Sequence, residues 1–283
     1  MLSRIVHKTR YTYEGPVSHC LSEARLTPRL LPSQQLRDWQ LDVHPKPTAI
    51  VSRQDYFGND VSSFAVLDAH SELEIIASGT VDLSAHPSAV CPWTTSETRA
   101  YLATLAEPAA LRASEFTWES PFVPWLPELA RYAEPILASG RPVLEAAYEL
   151  MCQVHRDFAY TPQATSIETP LAEVLEQRRG VCQDFSHVMI GALRSHGLAA
   201  RYVSGYLQSD AGFEGAGASH AWVSMFAPGV GWVDFDPTNN LQPRLGHITI
   251  AWGRDFGDVT PVKGITVGGG AHTLEVEVRV VPA

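Results

Sequence analysis

Over residues 1 to about 83, apolar and polar positions alternate in short runs that end at turn residues. In "SRIVHKTRYTYEGP" the alternation is rough and stops at Gly15-Pro16. "DWQLDVHP" sets Trp39, Leu41 and Val43 against polar neighbours. "DYFGNDVSSFAVLDAHSELEIIASGTVDLS" carries a turn at Gly58-Asn59, then two strand-like runs parted near Asp68 to Ser71. A period of two marks half-buried strands, and no run here has helical spacing. The pattern predicts a small antiparallel β-sandwich over residues 1–83.

Residues 84–127 lose this order. "HPSAVCPW" and "ESPFVPWLP" are rich in proline, so the stretch reads as a linker or collar, with Trp93, Trp118 and Trp125 packing between domains. From Glu128 the spacing becomes helical. In "RPVLEAAYELMCQVHRDFAY", Leu144, Ala147, Tyr148, Met151, Val154, His155 and Phe158 share one stripe, with Cys152 beside it in the core. "ETPLAEVLEQRRG" reads as a short helix with Thr169 as N-cap, Pro170 first inside and Gly180 as the stop. The next helix starts near Cys182. Phe185, Val188, Met189, Ala192 and Leu193 form its apolar face and Gly197 ends it. There follow a strand ("ARYVSGYLQ"), a glycine-rich loop ("GFEGAGAS"), a hairpin turning at "APGV", and a last strand ("HTLEVEVRVVP"). Residues 128–283 are expected to form a second domain, and the fold class is α+β.

Composition narrows the function. The 283 residues are 45% hydrophobic and 18% charged, enough for one large domain or two ordinary ones. A net charge of -10, without a run of Lys and Arg, argues against nucleic acid or an anionic membrane as partner. No apolar stretch approaches the roughly 20 residues that span a bilayer, and "MLSRIVHKTRYTYEG" lacks a signal-peptide core. A cytoplasmic location is the expectation. Cys20, Cys91, Cys152 and Cys182 are scattered, with no CxxC pair and no zinc spacing. They read as reduced thiols, of which at most one needs a chemical explanation.

That one is Cys182. A helix start presents unpaired N–H groups and about half a positive charge, which favours a thiolate and can hold an oxyanion. A buried core thiol is the competing reading, because free cysteines pack as small apolar residues. A thiol nucleophile needs a base, usually histidine. A hairpin centred on Pro228-Gly229 sets His220 opposite Asp236 or Pro237, close enough for a carboxylate to orient an imidazole. Asp234, on the same face and nearer Trp222, is the rival orienter. His187 is a further candidate base, but its spacing carries it well around the helix from Cys182. His220 as an ordinary strand histidine and Asp236 as a turn former before Pro237 are the plain alternatives.

Three stretches, in order, bring these residues together: "GVCQDFSHVMIGALRSHGLAARYVSGY", "SHAWVSMF" and "GWVDFDPTNN". They closely resemble the transglutaminase-like superfamily: a Gly-x-Cys helix start, a His-Ala-Trp strand and an Asp-Pro-Thr strand end. "DYFGND" and "HRDFAYTP" are similar to its bacterial branch with an N-terminal β-domain, whose members are commonly described as cysteine proteases. The resemblance implies a papain-like core in which a cysteine-bearing helix packs on an antiparallel sheet. It implies Cys182 as nucleophile, His220 as acid and base, and Asp236 as orienter. The substrate it implies is a peptide or protein amide, with hydrolysis favoured over transfer to an amine. No cofactor, and no calcium site, follows from it. Gln183, Tyr160 and Trp222 are lesser candidates for binding substrate or oxyanion, each with a structural reading beside it. A silent binding scaffold, and a metal site at Cys182, His220 and Asp236, are the alternative functions.

Overall fold

A computed structural model describes residues 1–85, 89–138 and 140–283. His86 to Ser88, within the proline-rich stretch, lie outside it.

β1 (Leu2–Ala24) organises the first domain. Its buried residues, Ile5, His7, Thr9 and Tyr13 among them, follow the alternation of the sequence. β1 lies within an antiparallel sheet with β2 (Gln34–His44), β3 (Ile50–Gln54), β4 (Asp60–Val66) and β5 (His70–Leu83), in the order β2-β5-β1-β4-β3. Its first half pairs with β5 and its second half with β4. One continuous sheet, rather than two separate ones, closes over Val17, Cys20, Phe64, Leu73 and Ile75. The expected antiparallel β-domain is present in that form.

Its boundary differs from the expected one. β12 (Val262–Gly268) and β13 (His272–Pro282) pair with the free sides of β1, so the end of the chain completes the first domain's sheet. The collar also differs. It contains α1 (Thr95–Thr104) and α2 (Pro108–Ser114). Thr94 and Glu97 form a reciprocal capping box at the start of α1, the Thr-x-x-Glu signal present in "TTSE". Leu102, Ala113 and Phe116 then pack on Phe226. Trp118 and Trp125 are exposed instead of wedged between domains, while Trp93 is half-buried against the main core.

The second domain places α3 (Pro127–Leu137), α4 (Val143–Asp157), α5 (Leu171–Gln177) and α6 (Cys182–Ser195) with a four-stranded antiparallel sheet. Its strands are β8 (Ala200–Leu207), β9 (His220–Ala227), β10 (Gly231–Phe235) and β11 (His247–Gly253), in the order β10-β9-β8-β11. Two short strands, β6 (Ala159–Tyr160) and β7 (Arg179–Gly180), pair in parallel just before α6, and α7 (Phe256–Val259) follows β11. α6 is buried nearly all round, with Phe185, Val188, Met189, Ile190 and Leu193 at 1% exposure or less. The face of α4 is rotated from the expected stripe. Ala146 and Leu150 are buried with Met151 and Val154, while Tyr148 points outward. α5 is capped by Pro170 and ends at Arg178 in a left-handed conformation, one residue inside the expected bounds at its start and two before Gly180. Thr169 accepts a hydrogen bond from the Ser166 N–H instead of capping that helix. Gly197, with φ +71°, follows α6 as expected.

β11 is an edge strand of the second sheet, and the first domain completes it with side chains. Gln34 donates to the Thr249 carbonyl at 2.7 Å and accepts from its N–H at 2.8 Å. Asn59 does the same at Trp252, 2.9 Å each way. Two side-chain amides thereby satisfy edge groups that would otherwise be buried and unpaired. Among the described residues, no helix is long and apolar enough to cross a membrane.

Candidate active site

Cys182 is the first residue of α6, and the local sequence explains why the helix begins there. Val181 has no capping side chain, so the third helical residue, Asp184, reaches back and accepts from the Val181 N–H at 2.8 Å. Thr165 donates to the same carboxylate oxygen at 2.6 Å. Burial raises the Asp184 pKa against these two hydrogen bonds. A Cβ at Gly180 would fall 2.4 Å from Asp184 Oδ2, so this turn needs glycine two residues before the cysteine. The cysteine is left half-buried at the helix mouth, with its own N–H lacking a carbonyl one turn back.

His220 opens β9 and Asp236 follows β10. The hairpin register runs from Ala227↔Gly231 to Val223↔Phe235, which carries Asp236 level with Trp222 and not with His220. The dyad therefore forms on the diagonal: His220 Nε2 donates to Asp236 Oδ2 at 2.9 Å. Trp222 Nε1 makes the parallel diagonal bond to Asp234 at 3.2 Å, which occupies the rival orienter. Both dyad side chains have 0% exposure. Asp236 Oδ1 accepts from the N–H groups of Thr238 and Asn239 at 3.0 and 3.1 Å, and Oδ2 also accepts from Asn239 Nδ2 at 2.9 Å. Burial alone would raise the Asp236 pKa, but His220 and then His247 hold it well below the usual carboxylate range. Burial alone would lower His220; the Asp236 carboxylate and then the Cys182 sulfur outweigh it and raise it above an ordinary imidazole.

The other nitrogen of His220, Nδ1, is buried with no hydrogen-bond partner. Cys182 is an electrostatic neighbour of His220 and of Tyr160, close enough to His220 to raise its pKa. Gly215, from the loop between β8 and β9, covers the same nitrogen: a Cβ there would lie 2.9 Å from Nδ1 and 3.6 Å from the Tyr160 hydroxyl. Asn239 holds that loop by accepting from the Glu214 N–H at 2.9 Å. Tyr160 is set beside Gly180 by the β6–β7 pairing. Burial, then the Cys182 charge, pushes its hydroxyl up to about 12, so it keeps its proton and can donate.

The remaining candidates separate. Gln183 is half-buried beside a cavity of about 290 Å³ that Pro121, Phe122 and Leu126 also line. Trp222 is fully buried and stacked on His220, with ring centroids 6.2 Å apart, so it backs the dyad and cannot wall a substrate groove. His187 packs against Phe122 and Tyr202, and its Nε2 accepts from the Phe256 N–H at 3.2 Å. Sequence reasoning missed His247, whose Nε2 bonds Asp236 Oδ2 at 3.0 Å. It also missed Asn239 and Gly215. The ligand atoms of His220, Asp236 and His247 lie within 4.8 Å of one another, a set a metal ion could use. In this geometry they are engaged with each other.

A papain-like core whose helix-borne thiol faces an imidazole fixed by a carboxylate defines a class of thiol-bearing α+β proteins. Residues 3–82 match the bacterial transglutaminase-like N-terminal region, and residues 130–237 match the transglutaminase-like superfamily. The chain belongs to the bacterial branch of that superfamily. It is 34% identical to the uncharacterized protein Rv2569c of Mycobacterium tuberculosis (strain ATCC 25618 / H37Rv), over 99% of this chain and 92% of that one. A protein-glutamine gamma-glutamyltransferase of Pseudomonas aeruginosa is 33% identical over 98 residues, covering 32% of this chain and 15% of its own. Among solved structures, a Cytophaga hutchinsonii protein, provisionally named a cysteine protease, superposes with a TM-score of 0.78. That match covers 100% of this chain and 91% of the other at 20% identity, and so shares the fold.

Proposed function

We propose that this protein is a cysteine acyl-transfer enzyme that opens a peptide, isopeptide or glutamine amide, with hydrolysis as its usual outcome. The observation that carries the reading is His220: one nitrogen fixed on a buried carboxylate, the other free of any bond on the side that Gly215 and Tyr160 surround. The Cys182 thiol gives its proton to His220 Nδ1, the sulfur attacks the amide carbonyl carbon, and the C–O π pair moves onto oxygen. The Cys182 N–H at the start of α6 and the Tyr160 hydroxyl are the donors for that oxyanion. His220 then gives its proton to the leaving nitrogen, the C–N bond breaks, and a thioester remains. Water, deprotonated by His220, attacks the thioester and frees the acid and the thiol; an amine in its place completes a transfer. Hydrolysis is preferred because Cys182 is part-exposed, which leaves the thioester open to water. Four free thiols accord with a reducing, cytoplasmic location.

The test is a screen of peptide and glutamine-containing substrates, with and without a primary amine, on wild type and Cys182→Ala. The expected result is turnover by wild type alone, with little amine incorporated. Equal turnover by Cys182→Ala refutes the nucleophile, and dominant amine incorporation refutes the preference for water.

A further inference from the structure

We propose that His247 is a positioning residue: a second donor that shares Asp236 Oδ2 with His220 and so sets how firmly the carboxylate holds the His220 ring. This rests on the reading of Cys182, His220 and Asp236 as the reacting set.

Oδ2 accepts three donors, His220 Nε2 at 2.9 Å, His247 Nε2 at 3.0 Å and Asn239 Nδ2 at 2.9 Å. Both imidazoles must donate, because an ionised carboxylate only accepts. His220, which also faces the Cys182 sulfur, is the reacting partner of the carboxylate, and His247 is a second donor on the same oxygen. Each further donor shares the charge of Oδ2 and weakens its grip on His220. The titratable groups facing the carboxylate are His220 from β9 and His247 from β11. Beyond His220 stand Cys182 from α6, Tyr160 after α4 and Glu214 in the covering loop. Asp234 on β10 is engaged by Trp222, and Arg244 lines the surface cavity beside His247.

His247 is held for this task. Its side chain is 2% exposed, with Trp222 edge-on at 5.3 Å and Phe213 at 5.3 Å. It arrives on β11, the edge strand that Gln34 and Asn59 secure from the first domain. Through His247 the β-domain thus supports the reacting set.

The test compares His247→Leu, which removes the donor, with His247→Gln, whose amide nitrogen can replace it without a titratable ring. His247→Asn, polar but too short to reach Oδ2, stands in if the leucine variant does not fold. Nitrogen-15 histidine NMR at neutral pH reads the bond directly. Wild type should show exchange-protected imidazole N–H protons assigned to His220 and to His247. In His247→Leu one disappears and the His220 proton moves further downfield; in His247→Gln it stays near its wild-type position. The rate of iodoacetamide reaction at Cys182 should rise, by up to roughly five- to tenfold, in His247→Leu, because a more firmly held His220 ring favours the Cys182 thiolate, and stay within about threefold of wild type in His247→Gln. An unmoved or upfield His220 proton in the folded leucine or asparagine variant overturns the proposal, as does failure of glutamine to restore the rate. Neither readout needs an amide substrate. Their success with no amide turnover would refute the enzymatic reading and leave His247 in its role.

Discussion

Gly215 offers a decisive perturbation, because its Cα covers the one nitrogen of His220 that the site leaves free. Its φ of +85° is a conformation that L side chains rarely adopt, and a Cβ would stand 2.9 Å from His220 Nδ1. Gly215→Ala therefore combines backbone strain of about 1–2 kcal/mol with a contact that forces the loop or the imidazole to move. The imidazole is fully buried and held by Asp236. The loop is held on both flanks, at Glu214 by Asn239 and at Gly217 by the Val278 N–H at 3.0 Å. A shift approaching 1 Å between reacting groups costs about a hundredfold in rate. Two neighbouring glycines separate the causes. Gly212 has φ +73° with nothing within 4 Å of its Cβ position, so Gly212→Ala carries strain without contact. Gly217 has neither, with open space around its Cβ position. The assay is the second-order rate of iodoacetamide reaction at Cys182, read by peptide mass, beside urea unfolding of each variant. Gly215→Ala and Gly212→Ala should lose similar stability, and only Gly215→Ala should lose reactivity, roughly a hundredfold. Equal reactivity in those two variants would refute the placement of Gly215 over the working nitrogen.

Asp236→Asn should remove the charge that keeps His220 above its ordinary value, moving the alkaline limb of Cys182-dependent turnover down towards about pH 6.5 and lowering the rate at least about a hundredfold; an unchanged limb refutes the dyad. Burial lowers His7 to about 4, and burial with the Arg194 charge lowers His187 to about 3. Both lie below their unfolded value, so their stabilisation is complete above about pH 6.5 and is lost as pH falls below it, at about 1.4 kcal/mol per unit for each. Urea midpoints should drop between pH 6.5 and 5.0, and a flat profile counts against two neutral buried imidazoles. Arg194 is buried, donating to the carbonyls of Phe116, Ala200 and Arg254 and to Ser120 Oγ. Arg194→Leu strands those acceptors and should cost at least about 3 kcal/mol, whereas a loss under about 1 kcal/mol by urea unfolding would show them satisfied elsewhere.

Which of these features the sequence disclosed follows from the range over which each is determined. Alternation in "SRIVHKTRYTY" and the stripe of Phe185, Val188 and Met189 are local burial patterns, and both elements form there, although β1 runs on through the expected break at Gly15-Pro16 to Ala24. The α4 stripe rotated because Tyr148 and His155 are amphipathic. Their apolar bodies count towards a face, yet Tyr148 is 46% exposed and His155 turns out to bond the Thr238 carbonyl. Hairpin counting found His220 and Asp236 as partners, though through a diagonal contact it did not specify, since a shift of one residue lies within its precision. "HTLEVEVRVVP" is legible as a strand, but nothing local names β1 as its partner more than 250 residues away.

The β-domain's part in the site was hidden for the same reason. Gln34 and Asn59 look like ordinary polar residues of a first domain. Only the fold shows them closing the edge of β11, the strand that delivers His247 to Asp236. β13, from the opposite end of the chain, completes the first sheet and also donates to the loop that covers His220. The division into an N-terminal β-domain and a second, cysteine-bearing domain is therefore one of sequence order and not of mechanics. A truncation after residue 83 or before residue 262 would expose β11 or free the Gly215 loop. Either cut should slow Cys182 alkylation even though Cys182, His220 and Asp236 all remain.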